Sequence, residues 1–415
     1  MLPRVLTLSL LAAASTAALA QTAPLNSVQL YGILDVGVQH TTGYRGGNIN
    51  ALVSGIMEGT RLGFKGSEDL GGGWRALFVL EQRIEADTGQ FNNRPFSGSM
   101  LPDRVTQAAR LGLPAQLQPV VTSVANSIGS TVGVNLNNSG YDRQSYVGLV
   151  TPVGAVLLGK QYTLGYELSA QFDTLQTQSA LSAGQVASVP SAIDIRAQNA
   201  VQYRIVKNGI TAAVMAAAGE GSTTTGHLLA AMLMYKSDAF SAGIAYQERE
   251  NELGQKSLTN VLVGASVKLG PGSLSAEYIS VKDDHPSGLS GLRGQLTPVV
   301  GAGAAGLVQN AFINGFKQDG KLMHVGYKLE LGVNTIYAAY SVFNDSRPAN
   351  ADTSSYGLVY TYALSKRTDI NAVAVHFDNR GLGQLAPGQA GFLGGVTRAA
   401  GVDSNTYALG VRHRF

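Results

Sequence analysis

The fold class is decided by the stretch NVLVGASVKL, at residues 260–269, in which apolar and polar or small side chains alternate. One face of this extended chain carries Val261, Val263, Ala265, Val267 and Leu269. A period of two residues is typical of a β-strand whose two faces meet different surroundings. A compact, glycine-containing turn follows at 270–272. The pattern therefore predicts a strand that pairs with the next one through a tight turn.

The same alternation recurs along the chain. It is clear at 28–38, at 323–329 and at 356–362, whereas 211–218 and 370–377 leave open which face is apolar. From Val28 to Phe415 the pattern gives about sixteen strands of about ten residues, an even number in the range of outer-membrane barrels. We find no sign of a second domain.

The connections between these strands alternate in length. Compact turns are expected at 69–73, 151–154, 207–209, 270–272 and 364–367. Long connections are expected at 85–140, 163–195, 282–320 and 379–404. The long ones lack sustained helical periodicity, so we expect irregular loops. An end with short turns and an opposite end with long loops indicate periplasmic and extracellular faces.

The composition excludes several classes of protein. Charged residues make up 14% of the chain, there are 51 glycines, and there is no cysteine. Absence of cysteine excludes disulfides and thiolate metal sites. The formal net charge of +3 gives no reason to expect nucleic-acid binding, for which a clustered basic face is typical.

The N-terminus resembles a secretory signal. Residues 1–20 combine an early positive charge at Arg4, a short apolar stretch and small residues ending at Ala20. The apolar stretch is shorter than a membrane-spanning helix needs, so we expect cleavage rather than anchoring. The mature chain, 21–415, is then a single exported domain.

Strands with one apolar face can lie in lipid only if the sheet closes. Backbone groups in hydrocarbon must all be paired, and a closed barrel has no free edge. A barrel of about sixteen strands is too wide for side chains to fill, so polar inner faces would enclose water. The alternative, a soluble sandwich or β-helix, fits less well because many inner faces are polar and no short repeat is visible.

Several segments together resemble the trimeric general porins typical of beta-proteobacteria. They are VQLYGILDVGV at 28–38, RLGFKGSEDLGGGWRALFVLE at 61–81, DRQSYVGL at 142–149, LGKQYT at 158–163, LSKRTD at 364–369 and GVRHRF at 410–415. The resemblance implies a sixteen-stranded homotrimer in the outer membrane of a Gram-negative bacterium. It implies passive diffusion of ions and small hydrophilic solutes.

The resemblance also implies a pore constriction. The third loop, 164–195, would fold inward and present Glu167 and Asp173, with Asp194 as a further acid. The positions that match the basic wall of the family are Arg61, Arg143, Arg196 and, less clearly, Lys160. A basic wall facing a sparsely acidic loop predicts a mild preference for anions. The family places the loop at 85–140 over a neighbouring barrel, and its length here leaves that role open.

The last strand resembles the recognition signal for the barrel assembly machinery. Its apolar face carries Tyr407, Leu409, Val411 and Phe415. A free strand edge of this kind can be paired by another sheet.

No catalytic, metal-binding or cofactor motif stands out. The six histidines have neither a serine-hydrolase motif nor metal-ligand spacing, and no phosphate-binding glycine loop occurs. We therefore expect a channel without enzymatic activity. The alternative function is an adhesin or surface receptor that acts through its long loops.

Overall fold

The fold is one closed antiparallel sheet. The computed structural model describes residues 26–99, 101–131, 135–136, 138–176, 179–187, 191–222, 224–389 and 393–415. The predicted signal segment, residues 1–20, lies outside the described residues.

The strands of the barrel follow one another round the wall in chain order. They are β1 Ser27–Tyr44, β2 Gly47–Ser54, β3 Arg61–Gly71, β4 Trp74–Arg83, β5 Gln144–Thr151, β6 Gly154–Tyr162, β7 Arg196–Lys207, β8 Ile210–Ala217, β9 Leu228–Lys236, β10 Phe240–Glu250, β11 Lys256–Leu269, β12 Gly272–Asp283, β13 Gln318–Leu331, β14 Asn334–Asp345, β15 Thr353–Ala363, β16 Thr368–Asn379, β17 Leu385–Gln389, β18 Leu393–Val396 and β19 Ser404–Arg414. β17 and β18 pair only with each other, whereas β16 pairs with β19 and β19 with β1, which closes the barrel.

The barrel wall has sixteen strand positions, as the sequence predicts. The closed sheet contains seventeen strands, but β2 and β3 pair with the same edge of β1. They are one barrel strand interrupted at residues 55–60. We call these six residues the inner segment, because they leave the wall and are buried on its lumen side.

The predicted alternation is confirmed where it is clear in the sequence. Along β11, Val261, Val263 and Val267 are exposed on the outer surface, whereas Asn260 is buried on the inner one. Outward apolar side chains face lipid, and the backbone groups between them are satisfied by the neighbouring strands.

The difference between the two ends is also confirmed. At one end, turns of two to four residues join β3 to β4, β5 to β6, β7 to β8, β9 to β10, β11 to β12, β13 to β14 and β15 to β16. At the other end lie the second loop (84–143), the third loop (163–195), the sixth loop (284–317) and the eighth loop (380–403), numbered by their order at that end.

The expectation of irregular long loops was wrong in three of these loops. The second loop contains α1 Asp103–Thr106 and α2 Gln118–Thr131, the third contains α3 Leu164–Phe172, and the sixth contains α4 Leu292–Phe316. A helix that is buried all round, such as α3, has no polar stripe from which its period could be read. α4 is long and apolar enough to span a membrane by composition, but Gly301 interrupts it with φ 78° and ψ 157°.

The expectation of polar inner faces was wrong for part of the wall. The inner faces of β8 and β9 carry buried Ala213, Met215, Ala230 and Met232. α3 packs against this part of the lumen, so the wall is apolar on both of its faces. On other strands of the described wall, the inner face carries buried charged groups such as Glu81 and Arg412.

Candidate pore constriction

Arg61 projects into the lumen from the start of β3. Its guanidinium lies 3.0 Å from the Glu58 carboxylate of the inner segment and 3.9 Å from the Glu81 carboxylate on β4. Glu81 is the inward neighbour of Gly63 across the strand pair. Arg61 is 7% exposed, so these pairs form in a largely desolvated place, where charge interactions are strong.

Arg143 and Arg196 meet at Tyr162. Arg143 Nε lies 2.6 Å from Glu81 Oε1, and its Nη2 donates to the Tyr162 hydroxyl at 2.8 Å. The Arg196 guanidinium stacks over the Tyr162 ring, 4.9 Å from the ring centre. The structure therefore brings together the three arginines to which the sequence pointed. Arg61, Arg143 and Arg196 form one cluster around Glu81 and Tyr162.

Three further arginines belong to the same part of the lumen, and sequence reasoning missed them. Arg83 on β4 pairs with Glu85 at 3.1 Å. Arg412 and Arg414, on β19, both bind Asp369 and Glu58. Their inward positions follow from the alternation of their strands, which was available in the sequence.

The inner segment brings an acidic group to this cluster. The Asp35 carboxylate accepts hydrogen bonds from the backbone N–H groups of Ile56, Met57 and Glu58 at 3.1, 2.8 and 2.7 Å. This fixes Glu58, whose carboxylate binds the guanidinium groups of Arg61, Arg412 and Arg414. No local sequence signal marks the segment, because it arises from the way β1 pairs with both β2 and β3.

Some guanidinium donors of the cluster stay free of protein acceptors. Within the part of the chain that the structure describes, the buried Nε atoms of Arg61, Arg83 and Arg196 have no hydrogen-bond partner. Arg196 also has no carboxylate within 4.0 Å among the described residues. Buried donors without acceptors are uncommon in proteins, and they mark this cluster as richer in donors than in acceptors.

Lys160 does not share the face of Arg61. Cross-strand pairing places it in a row with Ser145, Leu80 and Phe64. Phe64 is exposed on the outer surface, so the row faces away from the lumen. The next residue, Gln161, is buried on the lumen side. A shift of one residue therefore separates an outward from an inward position, which is why the sequence left the face of Lys160 ambiguous.

Glu167 and Asp173 lie in the contact between the third loop and the wall. Glu167 is 7% exposed and pairs with Arg204 on β7. Asp173 is 2% exposed, and its carboxylate accepts hydrogen bonds from the N–H groups of Leu175 and Ala183. Neither carboxylate is presented freely to the lumen. Asp194 pairs with Arg249 on β10 at 2.9 Å.

The third loop is held inside the barrel by glycines on the inner wall. A Cβ atom on Gly243 would lie 2.6 Å from Leu168 Cδ1. A Cβ on Gly264 would lie 2.8 Å from Phe172 Cβ, with the ring closer still. Glycine at these inward positions lets α3 approach the backbone of β10 and β11, and Phe172 is fully buried there.

A family model for Gram-negative porins matches residues 7–382. The chain belongs to the Gram-negative porin family. This assignment fits the closed sixteen-stranded barrel and the inward third loop, and it gives no support to the surface-receptor alternative. The protein is an outer-membrane channel.

Two related porins align along nearly the whole chain. An outer membrane porin protein of Bordetella pertussis is 23% identical over 429 residues, which cover 98% of this chain and 99% of that protein. Outer membrane porin protein 32 of Delftia acidovorans is 24% identical over 424 residues, which cover 97% of each. Among solved structures, the anion-selective porin from Comamonas acidovorans superposes with a TM-score of 0.66 at 21% identity, covering 94% of this chain and all of that one.

The last strand of this porin has the predicted outward face. Tyr407, Leu409 and Val411 are about half exposed on the outer surface of β19. Phe415 extends beyond the strand, and its carbonyl accepts a hydrogen bond from the Gly32 N–H at 3.1 Å. The C-terminus is thereby paired with β1 at the seam where the barrel closes.

Proposed function

We propose that this porin prefers anions, and that the arginine cluster at Glu81 and Tyr162 sets the preference. The proposal rests on one observation: the carboxylates of the cluster all have guanidinium partners, whereas one guanidinium has no carboxylate partner. The carboxylates of Glu58, Glu81 and Asp369 are all occupied by guanidinium groups. Arg196 has no carboxylate partner among the described residues, so no neighbouring acidic group offsets its positive charge. The name of the Comamonas porin is consistent with this interpretation.

The zero-current potential across a planar bilayer in a salt gradient tests the proposal. Arg196→Gln removes one charge, and for an ion that passes a charge at about 6 Å in water the loss changes the ion's energy by about 0.7 kcal/mol, or about threefold in permeability. We expect the potential to shift toward cation preference. Arg380→Gln, which removes an exposed arginine of the eighth loop, serves as the control. An unchanged potential in Arg196→Gln would remove this cluster from the selectivity filter.

We infer that the mature chain is a single porin domain that begins at Gln21 after removal of residues 1–20. The charged start, apolar stretch and small residues support this. N-terminal sequencing of the protein from outer membranes tests it, since a start elsewhere contradicts the proposed cleavage.

We infer that the porin assembles as a homotrimer in outer-membrane lipid after recognition of Tyr407, Leu409, Val411 and Phe415 by the barrel assembly machinery. The apolar outer face of β19 and its terminal aromatic residue support the second part. Cross-linking in intact membranes distinguishes a trimer from a single barrel.

We infer that the channel has no enzymatic activity, although Ser341, His324 and Asp173 lie in a row. Ser341 Oγ is 2.8 Å from His324 Nδ1, and Asp173 Oδ1 is 3.7 Å from His324 Nε2. All three side chains are buried, and Nε2 accepts the backbone N–H of Thr174 at 3.1 Å. The histidine therefore anchors the third loop, and a substrate has no access to the serine. Esterase assays of the purified porin test this.

A further inference from the structure

The second and sixth loops share a hydrophobic core outside the barrel. Residues buried in it are Leu101, Val105, Ala108, Leu113, Val121, Val124 and Ala125 from the second loop and Leu289, Val308, Ala311 and Phe312 from the sixth. We call this structure, residues 101–131 and 289–316, the helical bridge. Its core is separate from the one that holds the third loop.

The roots of these two loops lie on opposite sides of the barrel. The second loop joins the third and fourth of the sixteen strand positions, and the sixth joins the eleventh and twelfth. Half of the wall therefore separates them. Strands about 4.8 Å apart and tilted by about 40° make a sixteen-stranded wall roughly 30 Å across. Loops that start so far apart can share a core only above the mouth that lies between them.

Specific contacts hold the two loops together. Arg104 Nη1 donates to the Gly315 carbonyl at 2.9 Å. Within the sixth loop, Gln309 Nε2 donates to the Leu289 and Ser290 carbonyls. The break at Gly301 folds the first part of α4 back on the second part. This brings Arg293 Nε to 3.9 Å from the position that a Cβ atom on Gly306 would occupy. In a straight helix these two residues would be about 20 Å apart.

The eighth loop supports the bridge from a third side. Gln384 Oε1 accepts the N–H of Asp103 at 2.8 Å. In the part of the second loop that precedes the bridge, Ser97 Oγ accepts the N–H of Val396 at 3.2 Å. Asp103 also pairs with Arg45, which follows β1, at 2.6 Å. The bridge is thus fixed at several points round the rim.

We propose that the helical bridge limits the size of the solutes that reach the pore, separately from the charged constriction below it. A packed apolar body across the mouth divides the opening, and solutes must pass beside it. The charge of the constriction then acts only on what the bridge admits. This proposal rests on the channel function of the porin and does not depend on its anion preference.

A disulfide tests whether the two loops meet over the mouth. A Cβ on Gly315 would lie 4.0 Å from Val105 Cβ, which is within the range of disulfide geometry. Because the chain has no cysteine, Val105→Cys with Gly315→Cys creates a single possible pair. We expect an internal cross-link in oxidised, membrane-inserted protein that reducing agent reverses and that neither single variant forms. Failure to cross-link would overturn the proposed geometry.

Breaking the core tests the filter. In Phe312→Ser with Val121→Ser, two buried side chains of the bridge become polar, whereas Val299→Ser changes a side chain of the same loop that is 73% exposed. In the variant that combines Phe312→Ser with Val121→Ser, and only there, we expect a several-fold rise in the ratio of the liposome swelling rate with a trisaccharide to the rate with a monosaccharide. The zero-current potential should stay as in the wild type. If the protein still inserts and the swelling ratios are unchanged, the size filter is overturned. If only the ion selectivity is lost, the substitutions have acted on the constriction and not on a size filter.

Discussion

Displacing Phe172 from the inner wall should free the third loop while leaving the barrel intact. Gly264→Val places a side chain where the Phe172 ring now lies, 2.8 Å from its Cβ. The change is on the inner face of β11, whose backbone pairing with Gly243 and Glu277 does not depend on the side chain. Valine also favours strands, so we expect the wall to form normally.

The size of the effect follows from the burial of Phe172. Its side chain is fully buried, and loss of the packing of such a phenylalanine costs about 3–5 kcal/mol. A loss of about 3 kcal/mol shifts the ratio of docked to released loop by about 150-fold. The hydrogen bonds of Thr174 and Ser169 to the wall remain, so the loop stays near the lumen but is no longer fixed.

Single-channel recording in planar bilayers measures this release. We expect steady conductance in the wild type and frequent brief partial closures in Gly264→Val, because a released loop moves across the pathway. Phe172→Ala added to Gly264→Val removes the clash and should restore steadier current. Wild-type current in Gly264→Val, or noisier current in the double variant, would refute the account of how the loop is held.

Three other predictions concern single side chains. Glu58→Gln should strengthen anion preference in zero-current potentials, since Arg61, Arg412 and Arg414 lose a shared counter-charge. Burial raises the pKa of Glu252, but hydrogen bonds from the N–H groups of Gly288 and Ser290 lower it more, so the pKa lies below its ordinary value of 4.5. The stability that this anchor gives the sixth loop is therefore fully present above that pH and is lost as the pH falls through the lowered pKa. Proteolysis of that loop in acid should therefore depend on pH in the wild type and not in Glu252→Gln. Phe415→Ser should reduce assembled barrel in cells, whereas Leu364→Ser, on an exposed turn, should not.

The wall of the barrel could be predicted because one rule governs most strands. A lipid face and a wet face impose a period of two, as in β11 and β15, whose outward residues were identified correctly. The rule fails at β8 and β9, where the third loop supplies a second apolar surface. Their two apolar faces are themselves a signal, because a strand of a wide barrel needs an apolar inner face only where something packs against it.

The arginine cluster could be predicted only in part because it depends on register. The resemblance to porins pointed to Arg61, Arg143 and Arg196, but Glu58 reaches Arg61 only because Asp35 binds the backbone of the inner segment. Lys160 was misplaced by one residue of register, which reverses the face of a side chain. Gly243 and Gly264 face inward, and their positions in the sequence could have indicated where the third loop packs against the wall.

The charged cluster and the helical bridge are held by different kinds of interaction, and this separates their roles. Arg61 and Glu81 are placed by the register of the wall, which the ladder hydrogen bonds and the lipid fix together. Arg143 directly precedes β5, and its backbone N–H donates to the Glu81 carbonyl at 3.1 Å. The bridge is placed by apolar packing between two loops, which is less directional and tolerates exchange of one apolar side chain for another of similar volume. Changes in the apolar residues of the bridge can therefore alter the size of admitted solutes without moving the arginines of the wall, whereas a change of register between β3 and β4 would move Arg61 relative to Glu81.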